Sequence, residues 1–247
     1  MNKTHDHMKA ATEKEHTDRI GRLFSDIASR YDSINRLQSF RRDVSWRKFT
    51  AEKMRFFDTL RYLDVATGTA DLALEAARRH PGISVVGVDI ADKLLEIGRA
   101  KAQERRMDDR VELKRGNALD LEFDDGSFDV AGIAFGIRNI NDRLHALREM
   151  KRVVVPGGQV MVLELCYHGT GLIKPLYTVY LKGIIPFMAR LAASNRQAYE
   201  YLGRSIMEFP SPDEFCGLMR QAGLENIQSW PLTLGVTRLF VGNKPKQ

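Results

Sequence analysis

Between residues 60 and 166 short apolar runs alternate with helical patterns, and this alternation constrains the fold more than any other feature of the chain. Tyr62-Leu63-Asp64-Val65-Ala66 runs into a small-residue turn, Thr67-Gly68-Thr69, and then into helically spaced Leu72, Leu74, Ala76 and Ala77. The pattern predicts further strands at Ser84 to Val88, Val111 to Lys114, Phe128 to Ala134 and Gln159 to Cys166. Helices are predicted at Asp92 to Arg105 and Arg143 to Arg152, with a turn at Pro156-Gly157-Gly158. Strands that alternate with helices bury both of their faces in a largely parallel sheet with helices on either side. A helix at Pro212 to Ala222 and strands at Ile227 to Leu232 and Thr237 to Gly242 resume the pattern near the end. The expectation is an α/β, Rossmann-like chain forming one domain over 1–247. It divides into a helical cap (1–56), a core (57–166), a helical insertion (167–210) and a closing helix and hairpin (211–247). The cap is read from Ile20, Leu23, Phe24, Ile27 and Tyr31 and from a second helix over Val44 to Phe56; the insertion is read from helices at Leu172 to Leu191 and Gln197 to Met207.

Composition narrows the setting. Hydrophobic residues make up 43% and charged residues 28%, enough for a core and incompatible with global disorder. No window approaches the roughly 18 unbroken apolar residues of a membrane span; Leu172 to Leu191 is interrupted by Lys174, Pro175, Lys182, Pro186 and Arg190. The polar segment Met1 to Arg19 does not read as a secretory signal. Cys166 and Cys216 form no CxxC pair and the histidines are scattered, so no metal site is expected and a reducing cytoplasm fits. The net charge of +6 is concentrated. Between Arg36 and Arg55 seven basic residues stand against Asp43 and Glu52, with Leu37, Phe40, Val44 and Phe49 interleaved near helical spacing. Three readings stay open for this segment: a solvated face, contact with an anionic membrane, or contact with a polyanion.

The turn after the first strand sits where open α/β sheets bind ligands. It lacks the third glycine of a pyrophosphate cradle and has no GK[ST], so it is neither a dinucleotide fingerprint nor a P-loop. Asp89, about 20 residues further on, ends the second strand where a carboxylate can accept both hydroxyls of a ribose. Asn117-Ala118 follows the third strand, where an amide and a backbone N–H can read an adenine edge. Turn, acid and amide describe a nucleoside pocket whose candidates are Asp64, Gly68, Thr69, Asp89, Asn117 and Ala118. Without a pyrophosphate cradle, S-adenosylmethionine is favoured over NAD as the cofactor.

Three further segments carry a resemblance: Phe24-Ser25-Asp26-Ile27-Ala28-Ser29-Arg30-Tyr31-Asp32-Ser33-Ile34-Asn35, Phe135-Gly136-Ile137-Arg138-Asn139, and Tyr201-Leu202-Gly203-Arg204-Ser205-Ile206. Together with Asp124 to Asp129 and Arg152 to Gly158, they make the chain resemble the menaquinone/ubiquinone biosynthesis C-methyltransferase family within the class I methyltransferases. The resemblance implies a seven-stranded Rossmann-like sheet and S-adenosylmethionine-dependent methylation of a ring carbon on a polyprenylated quinol. It also implies cofactor contacts at Thr69, Asp89 and Asn117-Ala118. Ala70 stands where a glycine is commoner, which is tolerable if it already begins the helix, and Ala134 stands where some members have serine.

A ring carbon becomes a good nucleophile when a neighbouring hydroxyl loses its proton, so the site needs a proton acceptor or a group that stabilises the phenolate. The candidates are Arg138 and Asn139 after the fourth strand and Tyr31 and Asp32 in the cap. A guanidinium stays protonated, so Arg138 would stabilise charge or orient a water; alternatively it forms a structural pair with Asp32. His145 and His168 are alternative bases, and Cys166 reads as core. A polyprenyl tail needs an apolar mouth, with Leu176, Tyr177, Tyr180, Ile184 and Phe187 as its candidate lining. Peripheral attachment to the inner face of a membrane would reconcile such a substrate with a cytoplasmic chain. A methyltransferase of another small-molecule pathway, or of RNA, is the alternative. No nucleic-acid partner is expected, and a homodimer is left open.

Overall fold

The structure, a computed structural model, describes residues 15–26, 28, 32, 35–36, 39–166, 178–179, 183 and 196–246. Its strands are β1 (Arg61–Val65), β2 (Ser84–Asp89), β3 (Val111–Arg115), β4 (Phe128–Ala134), β5 (Val154–Leu165), β6 (Glu225–Leu232) and β7 (Thr237–Asn243). They form one sheet in the order β3-β2-β1-β4-β5-β7-β6. Every pairing is parallel except those of β7, which runs antiparallel to both β5 and β6. This is the mostly parallel, Rossmann-like sheet that the alternation predicts. The described helices are α1 (15–26), α2 (Arg42–Lys53), α3 (Asp71–Arg79), α4 (Asp92–Glu104), α5 (Arg143–Val153), α6 (Arg196–Met207) and α7 (Pro212–Gln221).

Because side chains alternate along a strand, each strand feeds two cores. Leu63, Val65, Val86, Ile133 and Phe240 pack on the face that takes Leu147 and Met150 of α5 and Phe215 of α7. Tyr62, Val85, Val130 and Met161 pack on the opposite face against Trp46 of α2, Leu72 of α3 and Leu95 of α4. Full burial of one such side chain contributes about 1.5–3 kcal/mol. The chain runs outward from β1 through β2 to β3 and then returns to the other side of β1 as β4. Helices on the two sides of that reversal diverge and leave a crevice beyond the carboxyl ends of β1 and β4.

Two local readings change. Pro156-Gly157-Gly158 lies inside β5, which begins at Val154, and the β4–β5 register shifts between Phe128 and Val130. Gly158 is required there, since a Cβ would lie 2.8 Å from the carbonyl oxygens of Asp129 and Val155. In the basic segment, the buried face of α2 is Asp43, Trp46, Arg47, Thr50 and Ala51, while Phe40 and Val44 are exposed. Of the interleaved apolar residues, Phe49 packs against the core while Phe40 and Val44 stand outside it, and Leu37 lies outside the described residues. Arg47 can lie inside because Asp43, one turn earlier, accepts its Nη1 at 2.7 Å and its guanidinium lies over the Phe135 ring. The expected helix from Leu172 to Leu191, with Leu176, Tyr177, Tyr180, Ile184 and Phe187, falls outside the described residues save for 178–179 and 183.

Candidate active site

The carboxyl ends of β1 to β4 open into one cleft with an empty volume, mouth included, of about 720 Å³. Ala66 and Gly68 line it after β1, Asp89 and Ile90 at the end of β2, and Asn117 and Ala118 after β3. Phe135, Gly136 and Asn139 line it after β4, and Ile20 and Phe24 of α1 close it from above. The turns after β1 and β4 touch: a Cβ on Gly136 would lie 2.8 Å from that of Ala66. Gly68 has φ 57°, a backbone region where glycine is least strained.

Asp89 is the polar centre of the first wall. Its Oδ2 accepts the Gly68 N–H at 2.8 Å and its Oδ1 accepts the Ala91 N–H at 2.9 Å. Burial raises its pKa above the usual carboxylate range, and the backbone N–H groups of Ala91, Gly68 and Ile90 pull it back. Asn117 Oδ1 accepts the Leu119 N–H at 3.0 Å, so its oxygen shapes the wall after β3. These residues fit an adenosyl group: a buried carboxylate for a ribose diol, a short turn at Asn117-Ala118 for a base edge, and apolar Ile90 and Leu94 alongside.

Asp64 does not line the cleft. Only 1% exposed, it accepts the Tyr62 hydroxyl at 2.8 Å and the Thr67 hydroxyl at 2.6 Å and holds the turn from below. Burial pushes its carboxyl up to about 6, while those hydroxyls and Arg47 act in the opposite direction. Thr69 is also absent from the lining. Its hydroxyl donates to Asp32 at 2.6 Å and accepts from Lys101 at 2.9 Å. Lys101 in turn reaches Asp32 at 2.5 Å and Asp71 at 2.8 Å. Asp32 and Thr69 thus meet each other, and the pairing of Asp32 with Arg138 is not formed. Ala70 precedes α3 with φ 64°, so it does not begin the helix but occupies the left-handed position a glycine would take.

Arg138 lies beneath the cleft instead of lining it. Its Nη1 donates to Glu164 Oε1 at 2.8 Å and to the Phe135 carbonyl at 2.5 Å, and its backbone N–H reaches Glu164 Oε2 at 3.2 Å. Asn139 does face the cleft, and among the described residues its Oδ1 is buried without a hydrogen-bond partner. Tyr31 and His168 fall outside the described residues. His145 is exposed and its ring nitrogen bonds the Leu119 carbonyl at 2.8 Å. Cys166 is fully buried, its thiol pushed up to about 12 by burial, then by Glu164.

Three participants escaped the sequence reading. Glu164 had a signal, as the only charge in Gln159 to Cys166. Lys101, and His16 with its ring nitrogen 2.9 Å from the Asn139 carbonyl, had none, because their partners are distant in sequence.

Comparison with known proteins places this arrangement. The ubiE/COQ5 methyltransferase family matches residues 10–244. The ubiquinone/menaquinone biosynthesis C-methyltransferase UbiE of Geobacter sp. (strain M21) is 42% identical over 238 residues, covering 96% of this chain and all of that protein. The demethylmenaquinone methyltransferase of Thermus thermophilus is 42% identical over 223 residues, 90% of this chain and all of that one. A Thermotoga maritima S-adenosylmethionine-dependent methyltransferase shares the fold at TM-score 0.64 and 20% identity, over 90% of this chain and 99% of that one. With both the family match and these relatives spanning nearly its whole length, the chain belongs to the ubiE/COQ5 methyltransferase family.

Proposed function

We propose that the chain transfers a methyl group from S-adenosylmethionine to a ring carbon of a polyprenylated quinol in menaquinone or ubiquinone biosynthesis. The observation that carries this reading is one cleft lined by both Asp89 and Asn139, whose Oδ1 has no hydrogen-bond partner among the described residues, in a chain of this family. The curated relatives named above, one a UbiE and one a demethylmenaquinone methyltransferase, supply the substrate class. S-adenosylmethionine, when bound, supplies a methyl group on a positively charged sulfur that leaves readily.

The protein's own residues then have three tasks. Asp89 holds the ribose hydroxyls, with Gly68 and the Asn117-Ala118 turn alongside. Asn139 Oδ1 accepts a hydrogen bond from a ring hydroxyl, which orients the ring and removes the cost of leaving that oxygen unpaired, while the proton displaced from the methylated ring carbon passes to solvent. Arg138 acts as a positioning residue, since its bonds to Glu164 and to the Phe135 carbonyl fix the loop that carries Asn139. Ile20, Phe24 and Phe135 exclude water, which favours alignment of a carbon nucleophile. On this reading the cap over 1–56 and the insertion over 167–210 serve the substrate, with Ile20 and Phe24 of the cap lining the cleft. A polyprenyl tail partitions into lipid, so the enzyme works from the cytoplasm at a membrane surface; no helix among the described residues is long and apolar enough to cross one. The test is incubation of the purified chain with methyl-labelled S-adenosylmethionine and each reduced demethylated quinol, with the product identified by mass spectrometry. Ring-methylated product from either quinol is expected; none from both would overturn the reading.

A further inference from the structure

Two bulky apolar side chains are held in solvent by backbone that disfavours them. Phe40 is 78% exposed at φ 50°, and Leu234 is 70% exposed at φ 58°. Arg41 and Thr233 beside them are also left-handed, at φ 61° and 45°. A glycine or asparagine would relieve this strain at a solvent-facing turn, and a bulky residue there is a genuine outlier. Neither side chain belongs to a core cluster, so packing does not account for their apolar character.

The two sites share one edge of the molecule. Thr237 pairs with Leu165, the last residue of β5, so the β6–β7 turn stands at the carboxyl ends of the parallel strands, where the cleft opens. The start of α2 lies at the same edge, because Arg47 stacks over Phe135 just after β4. Trp46 Nε1 donates to the Thr233 hydroxyl at 2.8 Å and ties the turn to the helix. Exposed Val44 extends the apolar patch, and exposed Arg41, Arg42 and Lys48 accompany it. Of the other cations, Arg36 pairs with Asp71, Arg47 with Asp43, and Lys53 lies over the rings of Phe49 and Trp230, while exposed Arg55 stands past the far end of α2. Among the described residues Arg41, Arg42 and Lys48 form no ion pair.

We propose that Phe40, Val44 and Leu234, with Arg41, Arg42 and Lys48, dock the cleft-bearing edge of the protein on an anionic phospholipid bilayer. Apolar side chains that project past a set of cations match the layering of such a surface, with acyl chains below phosphate head groups. The proposal rests on the reading of a lipid-borne quinol and specifies the surface that reaches it. It also separates cations that one stretch of sequence presents together: Arg47 is internal and takes no part.

The test is flotation of the full chain with phosphatidylglycerol-containing vesicles and with pure phosphatidylcholine vesicles, at low and high salt. Wild type should float with the anionic vesicles and detach as salt rises. Replacing Arg41, Arg42 and Lys48 by Gln should weaken that binding on the order of a hundredfold at low salt. Phe40→Gly with Leu234→Gly removes the apolar tips and the strain together, so binding should fall by about tenfold while the thermal midpoint stays level or rises. Both variants should methylate a short-tailed, water-soluble quinol as wild type does. Wild-type flotation by both variants would overturn the proposal. So would a change in monomer–dimer equilibrium without a change in flotation, which would make the patch an interface between copies. Lost turnover on the soluble quinol in the wild type itself would count against the proposed reaction, whereas flotation reads the bilayer surface separately.

Discussion

The two sides of the cleft are built differently. On the side of β1 and β2 the polar groups bind one another: Asp89 takes two backbone N–H groups, Asp64 takes two hydroxyls, and Lys101 joins Thr69, Asp32 and Asp71. On the side of β4 and β5 the buried ion pair Arg138–Glu164 fixes the loop, and the Oδ1 of cleft-lining Asn139 has no hydrogen-bond partner among the described residues. The first side is complete before any ligand arrives. On the proposed reading, the second holds one acceptor in place for a ring hydroxyl. On that reading binding and chemistry divide between the two walls, each stiffened by contacts behind it.

The largest effect expected comes from breaking the second side's support. Glu164→Gln removes the carboxylate that pairs with the buried Arg138 guanidinium, which should cost about 3–5 kcal/mol in urea unfolding. Replacing both partners, Arg138→Met with Glu164→Leu, should recover most of that loss while turnover stays low, because the loop keeps its packing but not its anchor. A loss below about 1 kcal/mol for Glu164→Gln would show that the pair is not what holds the loop.

The first side carries its tension in Asp64. Its folded pKa of about 6 lies above the ordinary carboxylate value near 3.8, so the folded state retains a proton that the unfolded chain releases. The stability this contributes is complete below about pH 4, falls as pH rises through 6, and does not return above it. Asp64→Asn carries no titrating proton at that site. Its stability relative to wild type should therefore improve by up to about 3 kcal/mol between pH 4 and pH 7. Parallel stability curves for the two proteins across that range would remove the charge from its assigned place.

What the sequence disclosed follows the same division. The strands and the cleft edge were legible because periodicity is local and a βαβ chain has one sensible way to close. Asp89 and Asn117-Ala118 were legible because they sit at strand ends. The places where side chains meet across the fold were not. Asp64 reads as ligand-facing from the turn and Thr69 from the turn and the resemblance together, yet Thr69 turns toward Asp32 and Asp64 lies beneath the turn. Arg138 read as facing substrate because its partner Glu164 is 26 residues away, and no local spacing records that pairing. Arg47 read as one more surface cation, since burial of a charge depends on a carboxylate one turn earlier and on a ring from another loop.

A smaller effect sharpens the role of the completed wall. Asp89→Ala removes an acceptor for two turn N–H groups and for the proposed ribose diol, so affinity for S-adenosylmethionine should fall by about 1–3 kcal/mol in calorimetric titration. Asn139→Ala should leave that affinity within about a factor of two and lower turnover instead, because its oxygen is assigned to the quinol. An equal loss of affinity in both variants would erase the distinction between the two walls.

The smallest effect concerns Ala70, where two local terms oppose each other. Its left-handed backbone costs an alanine about 1–2 kcal/mol, which glycine would relieve. Glycine, however, loses more chain entropy on folding, about 0.5–1 kcal/mol, and removes a buried methyl worth about 0.8 kcal/mol. That methyl is fully buried and faces Gly98 of α4, where an added Cβ would lie 3.2 Å from it. Ala70→Gly should therefore change stability by less than about 1 kcal/mol, in contrast to the loss expected for Glu164→Gln. Gly98→Ala alone should destabilise, since its new Cβ would also lie 2.7 Å from Leu113 Cδ1. Combined with Ala70→Gly it should cost less than the two separate changes added together, because one of its close contacts is gone. Strict additivity in that double-mutant cycle would mean that the methyl of Ala70 does not fill the space against α4, and the tolerance of alanine at this turn would then rest on backbone strain alone.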